Sequence, residues 1–390
     1  MIKILQLVGG GDAIGGVEKM LLNYYSFMDR SKIIFDFCFY RKSTISSVDD
    51  VQKGLLNKSR VFDLQLFEKK RVISGYYESI NKVKSIIKEN DYDIVHINAG
   101  RPPLLICGLI AAKKAGTRNI IIHSHSTKGR TDRSLLDDIA YEMLFAVVRP
   151  IFRKYATMLA GCSTEAAKYM FGSQSISSAK YFPIRNAIVV NPLTYNEQVR
   201  QQVRAEIGVS DNTLVIGHVG SFSTPKNHIF LVNVFNEIKK KSVNCQLWLA
   251  GNGVLKVEVE LYVKKLGIES DVLFLGERSD TTRLYQAMDV MVFPSLWEGL
   301  SVSVVEAQAA SLPVFASSNI SIEHQITDNL EFLDLSKGAA YWANYILYEI
   351  EMKKTQRRRD MTEQITKEGY NIEIEAKSLQ DKYLELIKFK

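Results

Sequence analysis

The sequence predicts an α/β protein made of two doubly wound parallel-sheet domains in tandem. Three observations lead there. The chain has 390 residues, a length that suits two domains. Short β-rich runs alternate with helical patterns in each half. A break rich in proline and asparagine, Pro183-Ile184-Arg185-Asn186-Ala187 to Asn191-Pro192, separates the halves. Hydrophobic residues make up 46% of the chain and charged residues 24%, enough apolar material for large cores and too much for a disordered chain.

In the first half, strands are expected over 2–8, 34–39, 93–97, 119–123 and 157–160. Helices are expected over 17–28, 72–88, 104–114, 135–154 and 164–171. The second half repeats the scheme, with strands over 214–219, 246–250, 272–275, 290–293 and 313–316. Its helices are expected over 228–241, 254–266, 281–288 and 302–310. The domains are accordingly 1–185 and 192–370, and an amphipathic helix over 373–390 offers Leu379, Tyr383, Leu384, Leu386 and Ile387 for docking back on the first. Two such sheets form a cleft, and ligands bind beyond the carboxyl ends of parallel strands.

Net charge is +7, unevenly spread. Residues 1–190 hold 28 Lys+Arg against 17 Asp+Glu, and residues 191–390 hold 22 against 26. A basic first half suits an anionic membrane surface or a phosphorylated acceptor; a solvated lysine-rich surface gives the same count. The four cysteines are scattered, with no CxxC pair and no zinc-ligand spacing, which suits a reducing compartment and no structural metal. The apolar run 2–8 meets Gly9-Gly10-Gly11-Asp12 at once, so it reads as a strand rather than a leader peptide. The run 104–112 is too short to span a bilayer.

Four segments follow expected strands. The first is Gly9-Gly10-Gly11-Asp12-Ala13-Ile14-Gly15-Gly16. Glycines there let backbone N–H groups approach a phosphate, although a tight strand-to-helix turn also uses them. The spacing fails the G-x-G-x-x-G dinucleotide fingerprint and lacks a P-loop lysine. The second is His123-Ser124-His125, with His96 ending the preceding strand and able to line the same cleft. Histidines capping a strand for structural reasons fit this pattern too. The third is Gly220-Ser221-Phe222-Ser223-Thr224-Pro225-Lys226-Asn227-His228, where Lys226 can meet a phosphate as a point charge. The fourth runs Pro294-Ser295-Leu296-Trp297-Glu298-Gly299-Leu300-Ser301 into a helix carrying Glu306. A helix N-terminus suits a diphosphate, Glu298 can face a sugar, and Glu306 sits deeper.

Two glutamates separated by seven residues, the first followed by glycine, resemble the retaining GT-B glycosyltransferases of family 4, and most closely their bacterial exopolysaccharide and capsule branch. Gly15-Gly16-Val17-Glu18-Lys19, Ala160-Gly161-Cys162-Ser163, Gly217-His218-Val219-Gly220, Phe274-Leu275-Gly276-Glu277-Arg278 and Glu306-Ala307-Gln308-Ala309-Ala310 extend the likeness along the chain. The resemblance implies a GT-B fold of two Rossmann-like domains facing across a cleft, an acceptor-binding first domain and a donor-binding second. It implies transfer of a sugar, with retention, from a nucleotide-diphosphate sugar (UDP above all) to a saccharide or lipid-diphosphate-linked acceptor. It further implies no cofactor, no metal and no nucleic acid, and a cytoplasmic enzyme at the inner face of the membrane.

By the same resemblance Gly15 and Gly16 approach the donor phosphates, and Lys226 pairs with the diphosphate. Gly299, Leu300 and Ser301 present N–H groups to it. Glu306 binds the ribose, Arg278 lies near the base, and Glu298 and His125 contact the donor sugar as the catalytic residues. The sequence departs from the pattern at Ser221, where arginine is usual, at Ser301, where proline is common, and at Ser311, where glycine is common. Losing one charged hydrogen bond to a phosphate costs about 1.5–3 kcal/mol. The first departure therefore leaves open a catalytically silent paralogue that acts as a binding or chaperone subunit for a partner transferase. The Asp91-Tyr92-Asp93 triplet opens a strand at its amino end and reads as structural.

Overall fold

The computed structural model describes residues 1–9, 16–41, 54, 56–66, 72–98, 102–125, 135–241, 244–352 and 357–388. The chain divides into two compact units, Met1–Ala187 with Ile372–Lys390, and Ile188–Asn371. In the first, β1 (Ile2–Val8), β2 (Ile33–Phe39), β3 (Val61–Asp63), β4 (Ile94–Asn98), β5 (Asn119–Ser124), β6 (Met158–Gly161) and β7 (Tyr181–Pro183) form one sheet. Its order is β3-β2-β1-β4-β5-β6-β7, and every pairing is parallel. Helices Gly16–Ser26, Val72–Asn90, Pro102–Ala115, Leu135–Tyr155 and Thr164–Phe171 connect the strands. Strands covered on both faces read as nearly continuous apolar runs, and all five residues of β4 are buried. The short edge strands β3 and β7 escape the sequence reading because three partly exposed residues leave no such run.

Helix Ile372–Lys388 packs on this unit, burying Ile372, Ala376, Leu379 and Tyr383, and its Gln380 Oε1 accepts the Asp29 N–H at 2.6 Å. The Asp91-Tyr92-Asp93 triplet is structural: Asp93 Oδ2 accepts the Lys3 N–H at 3.0 Å. Among the described residues, no helix is long and apolar enough to cross a membrane.

The second unit holds β8 (Leu214–Val219), β9 (Cys245–Ala250), β10 (Val272–Gly276), β11 (Val290–Phe293), β12 (Val314–Ser317) and β13 (Leu330–Leu333). They pair in parallel in the order β10-β9-β8-β11-β12-β13. Helices His228–Lys239, Lys256–Leu266, Thr281–Ala287 and Val302–Ala309 fall where the alternation predicts, each within two residues at either end. Helices Glu197–Ile207, Gly338–Met352 and Thr362–Lys367 do not. The first has sound caps: Asn196 Oδ1 accepts the N–H groups of Gln198 and Val199, and Gly208 is left-handed at φ 77°. Val199, Val203 and Ile207 recur every fourth residue, but with Ala205 they make only a thin apolar stripe in an otherwise polar and charged segment. Gly338–Met352 fails in the opposite way, being apolar nearly all round, with Trp342 packed edge-on to Phe230 at 5.4 Å.

Helix Val302–Ala309 ends in a Schellman turn. Leu312 N–H donates to Ala307 O at 3.0 Å, Ser311 N–H to Gln308 O at 2.9 Å, and Ser311 is left-handed at φ 52°. Glycine would relieve roughly 1 kcal/mol there. The Ser311 hydroxyl nevertheless accepts the Arg359 N–H at 3.0 Å and an Asn329 side-chain N–H at 3.3 Å. Ser311→Gly is therefore expected to lower stability by about 1 kcal/mol net, two lost bonds outweighing the relieved strain. Urea unfolding checks this: a midpoint above wild type would mean that strain dominates.

Candidate functional site

The strand order of the second unit reverses between β8 and β11, and both chains leave that point in loops. Thr224–Lys226 forms one 3-10 turn, and Asn227, left-handed at φ 54°, passes the chain into helix His228–Lys239. The loops are tied together: Asn227 Nδ2 donates to Pro294 O at 3.1 Å, and Leu296 N–H donates to Pro225 O at 2.8 Å. Lys226 Nζ thereby lies 2.7 Å from Glu298 Oε1 and 4.5 Å over the Phe293 ring. Ser295 Oγ donates to the same carboxylate oxygen at 3.2 Å. Both charged side chains are mostly buried, at 13% and 15% exposure, so their attraction is screened less than on an open surface. Ser221 stands on the same loop with its hydroxyl 3.1 Å from that of Ser223.

Two glycines that the sequence reading passed over shape this loop. A Cβ on Gly251 would lie 2.1 Å from Gly220 O, and one on Gly253 would lie 2.5 Å from Phe222 O. The Gly251-Asn252-Gly253 turn thus presses backbone to backbone on the segment before Lys226, and Phe222 N–H donates to Asn252 O at 2.9 Å. A pair of glycines directly after strand β9 was the available signal.

Beyond Glu298, Leu300 and Ser301 are buried. The Ser301 N–H is donated to His324 Nε2 at 3.0 Å, so in this structure that group points at an imidazole. His324 Nδ1 in turn donates to Ser321 O at 2.9 Å, which fixes Nε2 as the acceptor. Burial lowers the His324 pKa and keeps it in that neutral form. Gln308, fully buried, donates to His324 O at 2.8 Å and accepts the N–H groups of Ile326 and Thr327. Glu306 accepts from the hydroxyl of buried Tyr285 at 3.0 Å. Burial and the Glu306 charge push the Tyr285 phenol well up. Arg278 is held by Asp280 in a two-pronged contact, both bonds 2.8 Å.

The helix that carries Tyr285, Thr281–Ala287, ends among three arginines. Arg204 and Arg200 donate to Ala287 O at 2.8 and 3.1 Å, and Arg358 donates to Tyr285 O at 2.8 Å and to Met288 O. Guanidinium donors suit the unpaired carbonyls and negative pole of a helix C-terminus. Asp289 balances the charge, 2.6 Å from Arg200 and 3.4 Å from the fully buried Arg204.

In the first unit the strand order reverses between β1 and β4. Asn98, which ends β4, is fully buried, and its Oδ1 faces His123 Nδ1 at 3.1 Å and His125 Nε2 at 3.2 Å. Its amide donates to Gln6 Oε1 at 2.8 Å. One carbonyl oxygen accepting from both rings leaves the proton of His125 on Nε2 and its Nδ1 as an acceptor. His125 is half-buried, whereas His96 and His123 are fully buried. His96, expected to line a cleft, instead meets Tyr383 OH at 2.8 Å inside the unit. Gly16 is exposed and opens helix Gly16–Ser26, while Gly15 lies outside the described residues.

Burial first, then the neighbouring His125, pulls the His96 pKa down to about 3; burial, then Lys226, pulls that of His228 to about 4. Unfolded histidines take up protons near pH 6.5. These folded ones do so only at those lower values. Their contribution is complete above pH 6.5, is lost progressively below it, and is gone once pH has fallen through 4 to 3. Each is expected to remove about 2 kcal/mol of stability between pH 7 and pH 5. Urea midpoints at the two pH values read this directly, and equal midpoints would contradict it.

The model of the family "Glycosyl transferases group 1" matches residues 199–368. The chain is 31% identical over 348 residues to "Putative glycosyltransferase EpsF" of Bacillus subtilis, covering 88% of this chain and 86% of the relative. It is 24% identical over 249 residues, 62% of each chain, to the Escherichia coli UDP-Gal:alpha-D-GlcNAc-diphosphoundecaprenol alpha-1,3-galactosyltransferase. Among solved structures, Anabaena Alr3699/HepE in complex with UDP superposes with a TM-score of 0.67 at 21% identity, over 99% of this chain and 98% of that one. These likenesses agree with the two all-parallel sheets in giving the GT-B fold. With the Lys226–Glu298 pair at the strand-order reversal of the matched unit, they make this chain a glycosyltransferase of the group 1 family.

Proposed function

We propose that the chain moves a sugar from a UDP-sugar to a hydroxyl of a saccharide carried on a lipid diphosphate, with retention, in building a bacterial surface polysaccharide. The observation that carries this is the Lys226–Glu298 pair beside the start of helix Val302–Ala309. An ammonium has three N–H donors, so Lys226 can hold Glu298 and still meet two phosphate oxygens. As the bond from the anomeric carbon to the phosphate breaks, charge grows on the leaving diphosphate. Lys226 and the N–H groups of Gly299 and Leu300 stabilise it without a metal. Glu298 steadies positive charge at the sugar ring. The acceptor oxygen joins the anomeric carbon on the same face, and its proton passes to the departing phosphate.

Glu306, held by Tyr285, takes the ribose, and Arg278 lies near the base. In the first unit, which is proposed to bind the acceptor, Gly15 and Gly16 approach the phosphates and His125 accepts from a donor-sugar hydroxyl through Nδ1. The donor nucleotide and lipid-linked acceptor follow the names of the relatives, one a UDP-galactose enzyme acting on a diphosphoundecaprenol, another solved with UDP. The basic first half suits work at the inner, cytoplasmic face of the membrane.

A screen of donor hydrolysis across UDP-, GDP- and dTDP-sugars tests this. Wild type is expected to hydrolyse a UDP-sugar slowly, Glu298→Ala to lose that activity, and Ser221→Arg to gain roughly ten- to hundredfold. A second reading, a silent paralogue serving a partner transferase, is favoured by Ser221, whose short hydroxyl sits where relatives of this type carry a cation. Absence of both hydrolysis and UDP binding by calorimetry would select it.

A further inference from the structure

Helix Leu135–Tyr155 is apolar on two sides. Phe145, Val148 and Phe152 are buried in the first unit. At 100° per residue, Met143 and Val147 point the opposite way. Ile139, Met143, Val147, Ile151 and Tyr155 recur every fourth residue and are 49%, 68%, 62%, 36% and 42% exposed. One exposed apolar side chain needs no explanation, but five in a continuous stripe mark a surface that something covers.

The surroundings say what. At the stripe's end Lys113 and Lys154 lie 5.5 and 5.3 Å from the centre of the Tyr155 ring. Along its flank Arg149, Arg153 and Lys168 line a concavity of about 340 Å³, with Ala146 and Pro150 on its helix side; Glu142, outside its wall, lies 3.5 Å from Arg149 and offsets one of the three cations. Arg149 and Arg153 are fixed there by the carbonyls of Tyr169 and Phe171 at 2.9 and 2.6 Å. Apolar side chains flanked by fixed cations and a lysine-girdled tyrosine match the boundary between acyl chains and anionic headgroups. Facing copies of a largely cationic surface would gather like charges, whereas lipid phosphates neutralise them.

We propose that this helix face is the surface by which the enzyme lies on an anionic bilayer. Met143, Val147 and Ile151 enter the acyl boundary, and the Arg149–Arg153–Lys168 concavity takes a lipid phosphate. The assignment rests on the membrane-side acceptor proposed above and locates it on the molecule. The full chain is sedimented with vesicles of phosphatidylglycerol and phosphatidylcholine, or of phosphatidylcholine alone, at low and high salt. Wild type should bind the anionic vesicles, less so at high salt. Met143→Ser with Val147→Ser should weaken binding at least about tenfold, since two apolar side chains no longer leave water for the acyl boundary. Lys154→Gln with Lys168→Gln, which leaves Arg149 and Arg153 in place, should lower the salt dependence.

Donor hydrolysis in solution and thermal unfolding should be unchanged in all variants. The surface is therefore judged apart from the transferase chemistry. Vesicle binding unaffected by the serine pair would overturn the proposal. So would a wild-type dimer that the serine pair splits and vesicles do not affect, which would give the stripe to a second copy of the chain.

Discussion

Lys226→Ala is expected to cost the largest share of activity of any single change in the second unit, roughly a hundred- to thousandfold in kcat/KM. Two losses add. The ammonium is a charged donor that the loop holds at Glu298, so on the proposed mechanism the leaving diphosphate loses a counter-charge. Glu298, mostly buried, also loses the cation that lies 2.7 Å from its carboxylate. Initial rates of UDP-sugar hydrolysis check this, with Lys226→Arg as the companion. Arginine keeps the charge but replaces a point contact by a planar fork, and should recover part of the activity. A Lys226→Ala rate within threefold of wild type would remove the pair from the mechanism.

The largest effect on stability is expected from Asp289→Ala. The carboxylate stands between Arg200 and Arg204 and also accepts the Val215 N–H at 2.7 Å. Arg204 is 1% exposed; its other bonds go to the carbonyls of Ala287, Ser210, Asp211 and Thr213, and the exposed Asp211 carboxylate lies 4.0 Å from its Nε. Removing the nearer anion leaves the buried cation with the exposed Asp211 carboxylate at 4.0 Å, and stripping a buried cation of its partner typically costs about 3–5 kcal/mol. Urea unfolding should show a loss at the low end of that range, because Asp289 is itself a quarter exposed. The loss should spread to nucleotide binding, since the arginine-capped helix also carries Tyr285 and through it Glu306.

The parts of the site that the sequence revealed share one property: each lies within a few residues of a strand end. Lys226 and Glu298 are legible because a parallel strand is recognisable as an apolar run and whatever follows its carboxyl end is a candidate. The partners of the candidate residues are not. Asn98 and His125, Tyr285 and Glu306, Ser301 and His324 are pairs made by tertiary packing, and an isolated asparagine, tyrosine or histidine carries no period to betray it. His96 shows the converse error. Its position at a strand end suggested a ligand, but the C-terminal helix brings Tyr383 to it and makes it core. At the level of elements, the long buried strands were readable, while the three-residue edge strands and the helices with too few or too many apolar residues were not.

The helix Ile372–Lys388 belongs to the first unit although the whole second unit lies between them in the chain. Its Tyr383 ring packs edge-on to Phe35 at 6.0 Å, and its hydroxyl meets Nδ1 of the fully buried His96. During synthesis, residues 1–187 therefore emerge first yet lack a piece of their own interior until residues 372–388 have followed. Residues 188–371 are continuous and need nothing made later. The usual order, in which the amino-terminal part matures before the rest, is reversed. The second unit can be complete on the ribosome while the first still waits, and a nascent chain released before Tyr383 would carry a finished second half and an unfinished first.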